Sequence, residues 1–415
     1  MTSTPPPTTY TTLREQWTTP TDILSVLLIV GADVVKTALA QFNGQYFKPV
    51  PFSFGWVAYA YSYLLTTVGG LKSMPEAEFK CLLINCSTGK IWDRTSWLLG
   101  RILDCYEDVW MPEDVRLTVE ARDRERQEMF ARWDADVEGG VKAKRPKILG
   151  FAVAVFRPEE TSKQGVPSRD NVVFASIATT FVQLGIAAVP CGLYREWEIL
   201  VITAVGTLLA WLMGVLQERS TSNRRNTKKT FILTKGPGYG HAIVILGTGD
   251  GLDLDDMANE VSFRESKMRY RISIAVDLLL VILWTALLIT TSGMKSNTWY
   301  LVGIGGIGML QNIFIAGARR HPSAYGLHLR YERVITESKV MNTLMKLEEE
   351  YPNVGRHLLP ILFPGPLRPS EAEWWARAED REGETMLKGV ENAKSARVKK
   401  VDFKSIPERE KRSFF

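Results

Sequence analysis

A bilayer core admits a helical chain only as about 20 consecutive, mostly apolar residues per crossing. This sequence carries six stretches of that kind: Asp22 to Gln41, Phe52 to Leu71, Asn171 to Val189, Ile199 to Gln217, Ile272 to Thr290 and Trp299 to Ala318. Short turns join them in pairs and long charged segments separate the pairs. The pattern predicts a membrane α-helical protein with six transmembrane helices in three hairpins, at 22–71, 171–217 and 272–318. Bulk composition hides this, because 23% charged residues and a mean hydropathy of −0.06 average apolar spans with a larger polar remainder.

Orientation follows from Lys and Arg. The three short turns hold one basic residue each, Lys48, Arg195 and Lys295. The segment 218–271 holds Arg219, Arg224, Arg225, Lys228, Lys229, Lys235, Arg264, Lys267, Arg269 and Arg271, and Arg319 and Arg320 follow the last span. The positive-inside rule therefore places both termini and both long loops in the cytosol. Aromatic residues at the turns, Tyr46, Phe47 and Phe52, then Tyr194 and Trp197, then Trp299 and Tyr300, suit an external interfacial belt. The first span is the weakest, because its clean run, Ile23 to Ala32, stops before Asp33 and Lys36. A five-span version with the N-terminal segment lying in the interface is the alternative. Residues 1–21 read as a polar cytosolic tail without signal-peptide character. Spans near the lower end of useful length lean toward a thinner endomembrane.

The loops 72–170 and 218–271 contain short apolar runs bounded by turn residues: Cys81 to Cys86, Ile148 to Phe156, Thr230 to Thr234 and His241 to Leu246. These read as strands, the last two as a hairpin around Lys235-Gly-Pro-Gly-Tyr-Gly240. Ser96 to Tyr106 and Pro112 to Asp136 read as helices, the second with a solvated charged face, and Asp253 to Arg271 as a helix running into span five. Together they predict one small cytosolic α/β module built from both loops. In the cytosolic region 319–381, Ser323 to Tyr351 has helical spacing, Leu358 to Pro369 reads as a connector, and Ser370 as the cap of a short helix. Residues 382–415 are charged and poor in apolar side chains, as expected of a disordered tail.

The glycine-rich stretches Gly236 to Gly240 and Gly247 to Gly251 lack the context of a phosphate loop: the first lies between strands, and Leu252 stands where a third glycine is needed. Asp250, Asp253, Asp255 and Asp256 fail the EF-hand spacing and read as the start of a helix. Four histidines, His241, His321, His328 and His357, show no tight ligand spacing, and four cysteines show no disulfide framework. No catalytic, cofactor or metal site is expected. Asn85-Cys86-Ser87 is a glycosylation sequon on the predicted cytosolic side, hence silent. Nucleic acid is not an expected partner, because the net charge of +5 gathers beside the membrane.

Within the spans the polar candidates are Asp33, Lys36, Asp277, Gln183, Gln311 and Asn312. Asp33 and Lys36, one turn apart, are expected to face the bundle interior as an ion pair. Gln183, Gln311 and Asn312 are expected to serve as hydrogen-bond glue. The glycines Gly303, Gly305, Gly306 and Gly308 of span six are expected to admit a close neighbour.

At Phe52-Ser-Phe-Gly-Trp-Val57, Ser96-Trp-Leu-Leu-Gly-Arg101, Lys235-Gly-Pro-Gly-Tyr-Gly-His241 and Gly251-Leu-Asp-Leu-Asp-Asp256, the chain resembles a family of uncharacterised multi-pass membrane proteins of filamentous fungi. The resemblance covers about residues 20–330. It implies a fungal membrane protein of this layout and carries over no catalytic residue. The function expected from the sequence is a non-catalytic accessory or scaffold protein whose partners are the bilayer and a cytosolic protein or a second copy. A small-solute or ion transporter or channel is the alternative, motivated by Asp33, Lys36 and Asp277, and an enzyme ranks last.

Overall fold

The computed structural model describes residues 21–69, 74–93, 96–138, 150–221, 226–259, 267–294 and 296–378, except for the side chains of 21–30, 134–138, 218–221, 226, 259 and 267–269. The N-terminal tail, the C-terminal tail, residues 148–149 and the connection 260–266 lie outside the described residues. The chain divides into two compact units, Met1–Glu125 with Val153–Val334 and Arg126–Ala152 with Ile335–Phe415.

The first unit holds a helical bundle and a sheet. Its helices are α1 (Thr21–Gln41), α2 (Gly55–Gly69), α3 (Trp97–Asp104), α4 (Glu113–Glu138, which runs on into the second unit), α5 (Asn171–Tyr194), α6 (Glu198–Thr221), α7 (Leu254–Asn259), α8 (Lys267–Ser292) and α9 (Thr298–Gly317). Among the described residues four segments are long and apolar enough to cross a membrane, Asn171–Tyr194, Glu198–Gln217, Tyr270–Ser292 and Thr298–Gly317. They coincide with the last four predicted spans and are compatible with a membrane protein.

The first predicted hairpin is corrected. Helix α2 has 15 residues, about 22 Å at 1.5 Å per residue, which falls short of a crossing. Between α1 and α2 the chain turns at Phe42–Gly44 and then runs on to Ser53 without helix or strand, because Pro49 and Pro51 remove backbone donors and hold the preceding residues out of helix. Its register follows from contacts. Gln41 Nε2 donates to Ala316 O and Ala318 O at the end of α9, at 3.1 and 3.0 Å. Lys48 Nζ donates to Gln217 Oε1 near the end of α6 at 3.3 Å, and Lys48 Cβ lies against Gly214. Four residues on, the Phe52 ring lies against Gly206, about 12 Å back along α6 from Gly214.

Helix α2 then returns beside α8, with the Tyr61 and Thr285 hydroxyls 2.8 Å apart and Tyr270 donating to Val68 O at 3.2 Å. Residues 42–69 thus enter the bundle and leave at the same end. They form a segment that is re-entrant with respect to the helical bundle rather than the second arm of a helical hairpin. Lys48, placed in an external turn by the sequence reading, belongs to the end that carries the sheet.

The sheet has six strands in the order β2-β1-β5-β6-β3-β8, with β1 Leu82–Asn85, β2 Ile91–Asp93, β3 Ala152–Pro158, β5 Phe231–Thr234, β6 His241–Ile245 and β8 Leu329–Thr336; β4 (Asn226–Thr227) and β7 (Gly251–Leu252) form a separate pair. Strand β1 pairs antiparallel with β2 and β5, and β5 with β6. All four predicted strands join one sheet. Strands β1 and β5 are buried at every position, and helix α3 covers them with Trp97, Leu99, Ile102 and Leu103 in one core with Leu83, Phe231, Leu233 and Ile243. Helix α3 starts at Ser96, whose hydroxyl accepts from Leu99 N–H at 3.4 Å, and a π-helix, Tyr106–Trp110, follows it.

Ser323 to Tyr351 was expected to be helical. Instead a 3-10 turn, Pro322–Tyr325, leads into β8, and only α10 (Val340–Glu350) is helix. Val334, Ile335 and Thr336 favour the pleated state, and an edge position tolerates the charges between them.

In the second unit α10 is followed by α11 (Val354–Leu362), so the expected connector 358–369 is half helix. Glu348 joins the pair: its Oε1 accepts from Asn353 N–H at 3.0 Å and its Oε2 from Arg356 N–H at 2.9 Å. A last helix covers 369–378. It begins at Pro369, where a missing N–H costs nothing. Glu371 reaches back to accept from Arg368 N–H at 3.2 Å, so Ser370 lies inside the first turn and is not the cap.

Candidate functional site: the re-entrant segment and its anchors

Backbone with no helical partner is tolerated at membrane depth only where protein buries and satisfies it. Around the tip, side chains supply such partners for part of the backbone. Gln183, wholly buried on α5, donates through Nε2 to Phe52 O and to Ile304 O of α9, both at 2.8 Å. Asn312, also wholly buried, donates to Ser53 Oγ at 3.0 Å. Trp56 Nε1 closes the turn on Pro51 O at 3.0 Å. Gln183 lies 12 residues into α5, so the tip sits about 18 Å from the sheet-side end of the bundle.

The glycines of span six explain how the tip fits. A Cβ on Gly308 would lie 1.8 Å from Phe52 O, and one on Gly305 2.1 Å from the Phe54 ring, whereas Gly303 and Gly306 face open space. Gly31 and Gly55 make a second close approach, with a Cβ on Gly31 only 2.4 Å from Gly55 Cα. Aromatic rings pack around the tip: Trp284 stacks on Trp56 at 6.0 Å and on Phe52 at 6.2 Å, and Phe54 meets Phe52 edge-on at 5.7 Å. The predicted close neighbour of span six is therefore the re-entrant chain.

The other polar candidates separate. Asp33 is exposed and Lys36 half-buried, so Asp33 does not face the interior as expected: α1 turns Val35, Ala38 and Leu39 inward instead. Asp277 is buried on α8, with Oδ2 without a partner, and the Thr67 hydroxyl of α2 donates to Tyr63 O at 3.1 Å. Gln311 is half-buried and points away from the Asn312 contact, its Nε2 unpartnered.

A second constellation, at the sheet-side end, was missed in the sequence. The Arg320 side chain is fully buried. Its Nε and Nη2 grip Asp170 at 2.6 and 2.9 Å, its Nη1 donates to Gln41 O, and Phe42 and Tyr325 flank the guanidinium at 5.1 and 5.5 Å. Asp170 is also the N-cap of α5, accepting from Val173 N–H at 3.2 Å. Tyr325 donates to Gln41 Oε1 at 2.5 Å, and Arg101 of α3 donates to Gly317 O at 3.0 Å. One clasp thereby joins the ends of α1 and α9, the start of α5 and the helix covering the sheet. A forked Arg–carboxylate contact is strong and directional. The sequence signals were an acidic residue directly before one apolar run and the Arg319-Arg320 pair directly after another.

The aspartate cluster is a helix start. Asp253 Oδ1 accepts from Asp255 N–H at 3.0 Å, and Lys229 bridges Asp253 and Asp255 at 2.7 and 3.1 Å. Asp255 also receives Trp92 Nε1 at 3.0 Å and Asn85 Nδ2 at 2.5 Å, which commits the buried sequon asparagine to the fold. Burial pushes the Cys81 thiol up to about 12 and raises Cys105 as well, so neither is an activated nucleophile. His241 lies 5.3 Å from the Tyr239 ring and 6.0 Å from the Tyr106 ring, and burial lowers its pKa. No family model, curated protein or solved structure matches the chain.

Proposed function

We propose that this chain is a non-catalytic multi-pass membrane protein, an accessory or scaffold that holds its sheet module at the cytosolic membrane surface. The observation that carries this is the aromatic packing at the re-entrant tip, where Phe52, Phe54, Trp56 and Trp284 lie against one another and against glycine backbone. A path for solute requires lined space at that depth, whereas a platform requires rigidity, which the Arg320 clasp supplies between bundle and sheet. Cytosolic placement of the sheet side is supported by its Lys and Arg, from Arg219 to Arg271, against Arg195 and Lys295 at the far turns. Moving Lys48 to the sheet side strengthens that asymmetry. The hydrogen bonds of Gln183 and Asn312 to the tip and the resemblance to fungal multi-pass proteins fit the same reading.

A transporter or channel is the second reading, favoured by Asp277, a buried intramembrane carboxylate with one oxygen unpartnered. Two measurements decide between them. Cross-linking in native membranes followed by purification of the tagged chain is expected to return a stoichiometric protein partner or a second copy. Purified chain in proteoliposomes is expected to pass no ions or small solutes. A flux that Asp277→Asn abolishes would sink the scaffold reading.

A further inference from the structure

We infer that α1 crosses the membrane toward the sheet side, so that the chain preceding Thr21 lies on the membrane face opposite the sheet module and the C-terminus. This rests on the membrane reading above and departs from the expectation that both termini share the cytosol.

Two contacts fix the direction of α1. Its last residue, Gln41, bonds to Ala316 O and Ala318 O at the end of α9, and its Gly31 lies against Met309, a Cβ there meeting Met309 Cε at 2.8 Å. From Gly31 to Gln41 the helix descends about 15 Å, and from Met309 to the end of α9 about 12 Å. The two helices are therefore parallel and in register. Continued upward, the ten residues from Gly31 back to Thr21 cover about 15 Å, matching the eleven from Met309 back to Thr298. Thr21 thus reaches the depth of the far end of α9, where Trp299 stands exposed. The re-entrant segment removes the parity problem: residues 42–69 leave at the end where they entered, so α1 makes a single crossing and the total is odd.

Glycosylation acceptors at the two termini test this in cells. Pro7→Asn places an Asn-Thr-Thr acceptor ahead of α1, and Lys394→Thr completes an Asn-Ala-Thr acceptor at Asn392. The expected result is one endoglycosidase-sensitive glycan on the Pro7→Asn chain and none on the Lys394→Thr chain. The reverse pattern would uphold opposite faces while overturning the cytosolic placement of the module, so the two readings fail separately. Glycans on both would overturn the inference. Glycans on neither are resolved by a membrane-impermeant maleimide on Thr2→Cys in a Cys191→Ser background: labelling of intact cells, or labelling only after every membrane is dissolved, upholds the inference, and labelling as soon as the plasma membrane alone is opened overturns it.

Discussion

Arg320 ties Asp170, Gln41, Phe42 and Tyr325 together. A buried ion pair that loses one partner leaves an uncompensated charge, which costs about 3–5 kcal/mol, whereas replacing both partners by apolar groups is often near neutral. Asp170 keeps 29% of its side-chain surface exposed, so solvent trims the penalty. Asp170→Asn is expected to lower stability by about 2–4 kcal/mol, and the pair Asp170→Leu with Arg320→Met by less. Thermal unfolding of the purified variants checks this, and a loss under about 1 kcal/mol for Asp170→Asn would remove the clasp from the account. A second residue-scale prediction concerns His241, whose pKa is lowered first by burial and further by Lys235, against Glu107 and Asp123, which raise it. A folded pKa below the unfolded value of about 6.5 means that the unfolded chain binds the extra proton first. The associated stability is present above about pH 6.5 and is lost as pH falls through the folded value. His241→Phe should flatten the pH dependence of the melting temperature below pH 6.5; an unchanged slope would contradict the assignment.

At the scale of elements, span six is an unbroken helix whose glycines have two different jobs. Gly308→Ala puts a methyl into Phe52 O and Gln183 Nε2, both held by the same hydrogen bond. Overpacking of this kind costs about 1–3 kcal/mol, and losing the Gln183 bond at membrane depth adds about 0.6–1.7 kcal/mol. Gly303→Ala and Gly306→Ala meet nothing within 4 Å and should be neutral or slightly stabilising, since alanine exceeds glycine in helix propensity by about 1 kcal/mol. Melting curves of the three variants decide it, and equal effects would mean that the tip does not occupy that groove. The same contrast marks what the sequence could disclose. The last four spans were legible because each is an uninterrupted apolar helix, and the buried strands because both faces are apolar. The re-entrant segment was not, since Phe52 to Leu71 has the length and hydropathy of a span and only Pro49, Pro51 and Gly55 hint that its first part cannot be helix. Strand β8 was hidden by Arg330, Glu332 and Arg333, charges that an edge position accepts. Gln183 and Asn312 were legible as hydrogen-bond donors, but their acceptors were not, because a loop's position within a bundle leaves no local period. Asp33 misled for the opposite reason: charge alone does not say which way a helix faces.

At the scale of the whole molecule, the apolar surface of the bundle is compatible with lipid as its surroundings. Phe181 on α5 is 70% exposed, Leu310 on α9 69%, Ile289 on α8 67% and Leu208 on α6 62%. Lipid accommodates such side chains without cost, whereas contiguous apolar patches on soluble monomers are small. Substitution separates the two environments. An exposed Phe→Arg change on a water-soluble surface shifts stability by about 0.5 kcal/mol or less in either direction, but arginine at the middle of a span costs about 2.5–3.5 kcal/mol to insert. Phe181 stands ten residues from the start of a 24-residue helix, too central for the guanidinium to reach an interface without deforming the bilayer. Leu117, 54% exposed on the charged helix α4, is the matched control in the sheet-bearing region. Phe181→Arg is therefore expected to reduce the alkali-resistant membrane fraction and the yield of monodisperse protein several-fold, while Leu117→Arg leaves both unchanged. Equal tolerance of the two substitutions would mean that the exposed face of α5 meets water or protein rather than lipid, and the membrane placement of the bundle would fall with it.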